Sequence, residues 1–128
     1  MNKIEETKNK RPLSPHLSIY KPQISSVLSI GHRMSGTGLF VMILALSWWF
    51  ILWVFSGFNN CYFECFDNLI VKSLLYITSY GYFYHFCTGI RHLVWDTGRG
   101  FEINCINRSG VAVILISVIL TALFWLYI

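Results

Sequence analysis

A chain of 128 residues has room for one domain, or for a few membrane spans and little else. Hydrophobic residues make up 55% of it and charged residues 12%, about half the charged share of soluble domains. A small soluble globule has a large surface to cover with polar groups, and ten basic plus six acidic residues are too few to do it. The same shortage argues against intrinsic disorder, which needs charge-rich sequence. The chain reads as a membrane protein.

Residues 1–24 read as a tail and a surface segment. Met1 to Lys10 holds Glu5 and Glu6 and no apolar core, so it resembles neither a signal peptide nor a transit peptide. The first span is then the insertion signal. That favours a bacterial inner membrane, the alternative being a mitochondrial inner membrane reached from inside the organelle. Pro12, Pro15 and Pro22 make residues 11–24 an irregular or extended segment at the membrane surface. Ser25 or Ser26 is the expected N-cap of the first long helix.

No charged residue lies between Arg33 and Glu64, between Lys72 and Arg91, or after Arg108. A helix needs roughly 20 residues to cross a hydrocarbon core of about 30 Å. Three spans follow, at about 30–56, 70–93 and 109–128, in a single all-α membrane domain covering 1–128. Gly98, Gly100 and Asn104 mark the second connection as loop. Lys3, Lys8, Lys10, Arg11, Lys21 and Arg33 precede or open the first span, and Arg91, Arg99 and Arg108 surround the second connection. The first connection holds Lys72 beside Glu64 and Asp67. The positive-inside rule therefore places the N-terminus inside and the C-terminus outside. The net charge of +4 reports this topology, and no nucleic-acid patch is interleaved with it.

The four cysteines, Cys61, Cys65, Cys87 and Cys105, show neither CxxC nor Cys/His ligand spacing, and read as small apolar residues. Cys61 and Cys65, four apart in the outer loop, could form a bridge there.

The informative residues are those that lipid rejects. At 100° per residue Ser29, Arg33, Gly36, Phe40 and Ser47 share one face of the first span, a face suited to close contact with another helix. Interfacial snorkelling of Arg33 with a head-group contact by His32 explains the pair equally well. In the second span His85 and His92 are seven apart and point nearly the same way, with Gly81 and Gly89 flanking the stripe and Asp96 four beyond His92. A histidine deep in a charge-free span needs a partner, which makes it a functional candidate. Neutral imidazole is a common haem-iron ligand, and glycines beside it admit a flat macrocycle or a second helix. A structural histidine bonded to a neighbouring helix is the other reading. About 10 Å of helix separates His85 from His92, too far for both to ligate one iron.

Arg11-Pro12-Leu13-Ser14-Pro15-His16-Leu17 with Ser29-Ile30-Gly31-His32-Arg33-Met34-Ser35 resembles the N-terminal signature of the cytochrome b membrane-anchor subunits of succinate dehydrogenase. The stretch His85 to Gly98, HFCTGIRHLVWDTG, resembles the second signature of that family. The third span is similar only in hydrophobicity. The resemblance implies a subunit of complex II, which passes electrons from succinate to ubiquinone in the tricarboxylic acid cycle and respiratory chain. It implies a flavoprotein subunit, an iron–sulfur subunit and a second small anchor as partners, with one b-type haem shared between the anchors.

Carried over by residue, the resemblance makes His85 the axial ligand from this chain, the second ligand being a histidine of the partner anchor. Ser29 and Arg33 would line the ubiquinone pocket, and His32 and Arg33 would meet the haem propionates. Asp96 and Glu102 would feed protons to the quinone. A serine hydroxyl can hydrogen-bond a quinone carbonyl, and a fixed cation can stabilise the negative charge that develops there. Two other classes compete: a haem-free anchor of the same architecture, marked by a missing b-type absorption band, and a small proton-coupled transporter or channel with a His85–Asp96 relay. The last needs a continuous polar stripe, and Lys72 to Tyr84 offers only Ser73, Thr78 and Ser79.

Overall fold

A computed structural model describes residues 21–59 and 61–127 of the chain. The expected tail and most of the proline segment, with Pro12 and Pro15, lie outside the described residues. The described residues are helical and contain no strand: α1 (Ile24–Phe55), the single turn α2 (Cys61–Glu64), a 3-10 turn (Cys65–Asp67), α3 (Leu69–Asp96) and α4 (Ile103–Tyr127). At a rise of about 1.5 Å per residue each long helix exceeds the thickness of a hydrocarbon core. Both α1 and α4 are long and apolar enough to cross a membrane. The 28 residues of α3 are long enough, but its polar stripe makes it less apolar.

Helix ends follow local chemistry, with two corrections to the expected boundaries. The N-cap of α1 is Gln23, not Ser25 or Ser26; it is extended at φ −92° and ψ 148°, with no side-chain capping bond. Its carbonyl accepts the first helical bond, from Val27 N–H at 3.1 Å. Starting there lets Ile24 and Leu28 pack against Gly110 of α4, and that apolar contact outweighs a hydroxyl cap of about 1 kcal/mol. The second correction is Asn104, which lies in the first turn of α4. The Glu102 carbonyl accepts from Ile106 N–H at 2.9 Å, so the connection ends before Asn104.

At the other end of α1, Gly57 (φ 72°) and Phe58 (φ 63°) are both left-handed. Gly57 N–H bonds the Val54 carbonyl and Phe58 N–H the Trp53 carbonyl, at 3.1 and 3.2 Å, and the Phe58 ring meets Trp53 edge-on at 4.9 Å. This is a Schellman stop with its hydrophobic clasp. Asn68 caps α3 through a 2.8 Å bond accepted from Ile70 N–H. Cys61 has a free thiol, so the bridge considered between Cys61 and Cys65 is not formed.

The three long helices run up, down and up, and α3 packs against both others. The inside is polar and small. Thr88, Ser117 and Thr121 are at most 1% exposed, while Phe40, Ile43, Trp48, Leu93, Ile119 and Leu123 face outward. Ser117 and Thr121 each donate to a carbonyl of α4, to Ile114 at 2.8 Å and to Ser117 at 2.7 Å. Small residues inside and large apolar ones outside are the arrangement expected where the surroundings are lipid. Arg91, 6% exposed, fastens α3 to α4: its Nε donates to Ser109 Oγ at 3.1 Å and a terminal nitrogen to the Ile106 carbonyl at 3.0 Å. The guanidinium also lies 4.1 Å over the Trp95 ring. At the opposite end Trp125 Nε1–H donates to Ser79 Oγ at 2.8 Å.

Candidate functional site

Two glycines decide how closely α1 approaches α3. A Cβ on Gly31 would stand 2.6 Å from Tyr84 Oη, and one on Gly36 would stand 2.9 Å from His85 Cε1. Tyr84 uses the room to donate its hydroxyl to the Leu28 carbonyl at 3.1 Å. His85 uses it to lie flat on His32, with ring centroids 4.0 Å apart and planes 8° from parallel. His92 joins from the next turns of α3, its ring 5.1 Å from His32 and 5.3 Å from Trp95. His32 therefore stands between the two histidines of the second signature.

The hydrogen bonds assign the nitrogens. His85 Nδ1 lies 3.1 Å from the His32 carbonyl and 3.2 Å from Ser35 Oγ. A carbonyl only accepts, so Nδ1 carries the proton and donates. Ser35 Oγ in turn donates to the same carbonyl at 2.9 Å. A neutral imidazole that donates from Nδ1 keeps its lone pair on Nε2, the arrangement in which an imidazole binds a metal. His85 also borders an apolar cleft of about 700 Å³ whose walls include Leu39, Met42, Leu75 and Phe86. A preset Nε2 donor beside an apolar cleft suits a planar metal macrocycle, and Gly36 leaves the ring that carries the donor its place between the helices.

The remaining candidates fall in three places. Arg33 is exposed and borders a second cleft, about 1000 Å³, together with Tyr80, Gly81 and Tyr84. Ser29, half-buried one turn earlier on α1, does not line that cleft, so the pair shares a helix face without sharing a pocket wall. Asp96 closes α3 and Glu102 precedes α4, both exposed at the end of the bundle where α1 begins. Three residues at the centre have no place in the expected set. Ser35 holds His85, Tyr84 holds α1, and Thr88 Oγ1 lies 2.6 Å from His32 Nδ1. Their signal was available in part: Tyr84 and Thr88 flank His85 on α3, and Ser35 follows His32 by three.

Comparison with known proteins gives the family. The model of the family described as Succinate dehydrogenase/Fumarate reductase transmembrane subunit matches residues 7–124. The succinate dehydrogenase cytochrome b556 subunit of Rickettsia bellii is 52% identical over 122 residues, 94% of this chain and 95% of that protein. The subunit of the same name from Paracoccus denitrificans is 35% identical over 117 residues, covering 88% of each chain. The mitochondrial cytochrome b560 subunit of Mus musculus is 36% identical over 118 residues, 90% of this chain and 70% of its own length.

Proposed function

Because the chain belongs to the succinate dehydrogenase/fumarate reductase transmembrane subunit family, we propose that it is the anchor subunit of complex II that binds haem b and ubiquinone. The observation that carries the reading is the bond from His85 Nδ1–H to the His32 carbonyl, 3.1 Å long, which leaves Nε2 as the donor for iron. The names of the relatives, cytochrome b556 and b560 subunits, support a b-type haem. His85 would hold the haem from this chain and a histidine of the partner anchor would hold it from the other side of the shared site. Held by one histidine from each anchor, the group would supply electron transfer and not oxygen binding.

This chain's own residues do the rest. His85 ligates, and Ser35 with the His32 carbonyl keeps its ring oriented. Arg33 would neutralise the propionate charge and the His32 ring would hydrogen-bond a propionate. Ser29 donates to a quinone carbonyl, and the Arg33 cation stabilises negative charge developing on the quinone. Asp96 and Glu102, both exposed, pass protons from water to that site. The flavoprotein and iron–sulfur subunits bind on the inner side, and the second anchor packs beside the exposed Arg33 of α1. The chain forms a single domain with three spans, N-terminus inside, in a bacterial inner membrane. Support for α3 as a span comes from its outward Leu74, Ile77, Phe86 and Ile90 against its inward Thr88 and Arg91.

The test is His85→Ala in the intact complex. Haem content should collapse and the reduced-minus-oxidised b-type band should vanish while the chain still inserts. A normal spectrum in that variant would sink the assignment.

A further inference from the structure

The least exposed side chain beside the histidines is Thr88, 1% accessible, on the turn of α3 that follows His85. Its Oγ1 lies 2.6 Å from His32 Nδ1, 2.7 Å from the Tyr84 carbonyl and 3.0 Å from the His85 carbonyl. A threonine has one hydroxyl proton, so it serves one of these acceptors at a time. The two carbonyls already belong to the backbone ladder of α3 and can release the hydroxyl without being orphaned. His32 Nδ1 has no such reserve. The ring is held by its stacking on His85 at 4.0 Å, so Nδ1 stays on Thr88.

We propose that Thr88 is a positioning residue for His32, its hydroxyl donating to Nδ1 and so fixing the tautomer that presents Nε2–H to an anionic group. This rests on the reading above, in which that group is a haem propionate. The chemistry follows from counting protons. A neutral imidazole has one N–H and one lone pair, and a carboxylate can only accept. If Thr88 gave its proton to the Tyr84 carbonyl, Nδ1 would have to donate to Thr88. Nε2 could then donate to a carboxylate only from a doubly protonated ring. A charge on that ring inside a span is costly. With Thr88 donating, the ring stays neutral and still offers an N–H at Nε2. His32 then does two things on one residue: its carbonyl orients His85, and its ring receives the propionate. Thr88 keeps the second from disturbing the first.

The experiment uses the intact complex with Thr88→Val, which keeps the shape and removes the hydroxyl, and Thr88→Ser, which restores it. Haem-to-flavin ratio and the haem midpoint potential are measured. Thr88→Val should retain haem, because His85 and its orienting bonds remain. Its midpoint potential should fall, because a propionate that loses the His32 hydrogen bond keeps more of its negative charge exposed to the iron, which favours the more positive ferric state. Thr88→Ser should return the potential to that of the unaltered complex. In a His32→Ala background Thr88→Val should shift nothing further, since Thr88 acts through the ring. An unchanged potential in Thr88→Val, or an equal shift with and without the His32 ring, would overturn the proposal. Should Thr88→Val fail to assemble, Thr88→Cys, a weaker donor of similar size, is compared with Thr88→Ser, and equal potentials overturn it. His85→Ala separates the two levels: haem kept there defeats the haem-ligand reading itself, whereas haem lost there with an unchanged Thr88→Val potential defeats only the role of Thr88.

Discussion

Ser29 and Arg33 sit four apart on α1, and the proposed quinone chemistry assigns them different contributions. Ser29→Ala removes one hydrogen bond, a loss of about 0.5–1.5 kcal/mol, or up to about 3 where the partner stays unpaired. Arg33→Leu should cost more, because a fixed cation acts most strongly as negative charge forms on the quinone. Both variants should lower quinone reductase activity far more than succinate oxidation with a soluble artificial acceptor, since succinate is oxidised in another subunit. A parallel fall of both activities would point to failed assembly. No change in either would leave Ser29 and Arg33 as interfacial polar residues and move the quinone site to the partners. At this scale His85 was legible in sequence, because a lone imidazole in a charge-free stretch is costly wherever it sits. The seat of His32 on His85 was not. It joins residues 53 apart in the chain, and no periodicity within one helix encodes a contact between two.

At the scale of the helix, α1 carries its own internal control. Gly31 and Gly38 are seven apart on one face, yet a Cβ on Gly31 meets Tyr84 Oη at 2.6 Å and one on Gly38 meets nothing within 4 Å. Gly31→Ala should push Tyr84 off the Leu28 carbonyl and cost about 1–3 kcal/mol, as overpacking does. Gly38→Ala should be neutral or stabilise by up to about 1 kcal/mol, from helix propensity alone. Thermal melts of the detergent-solubilised complex check the pair, and equal melting temperatures would contradict the close approach of α1 to α3. The charge-free stretches located the long helices well but missed their ends. α3 runs on to Asp96, past the expected end near 93, and α4 begins at Ile103, ahead of the expected 109, because charges end the lipid-compatible run while backbone bonding continues. Gly98 and Gly100, read as loop, do take the left-handed backbone, at φ 77° and 84°, whereas the stop at Gly57 was not read from the sequence.

For the molecule as a whole, the distribution of Lys and Arg predicts an N-in, C-out topology. Reporter fusions at Ile128 should report the periplasmic or intermembrane side, and a signal from the inner compartment would overturn three spans. Composition by itself settled that the chain is a membrane protein, since so few charges cannot clothe a soluble globule. The order of its polar residues along the chain also carried the family resemblance and the candidate set of Ser29, His32, Arg33, His85, Asp96 and Glu102. What only the tertiary structure decided is which of these meet. Gly31 and Gly36 let α1 close on α3, and that approach stacks His32 on His85, fixes the His85 tautomer and brings Thr88 to His32. It also leaves Ser29 outside the cleft that Arg33 lines. The physical reason is range. Hydropathy and charge act on each residue by its own transfer cost and can be read one position at a time. A hydrogen bond acts over about 3 Å and depends on the rotation and spacing of two helices, which are set by packing along the whole seam.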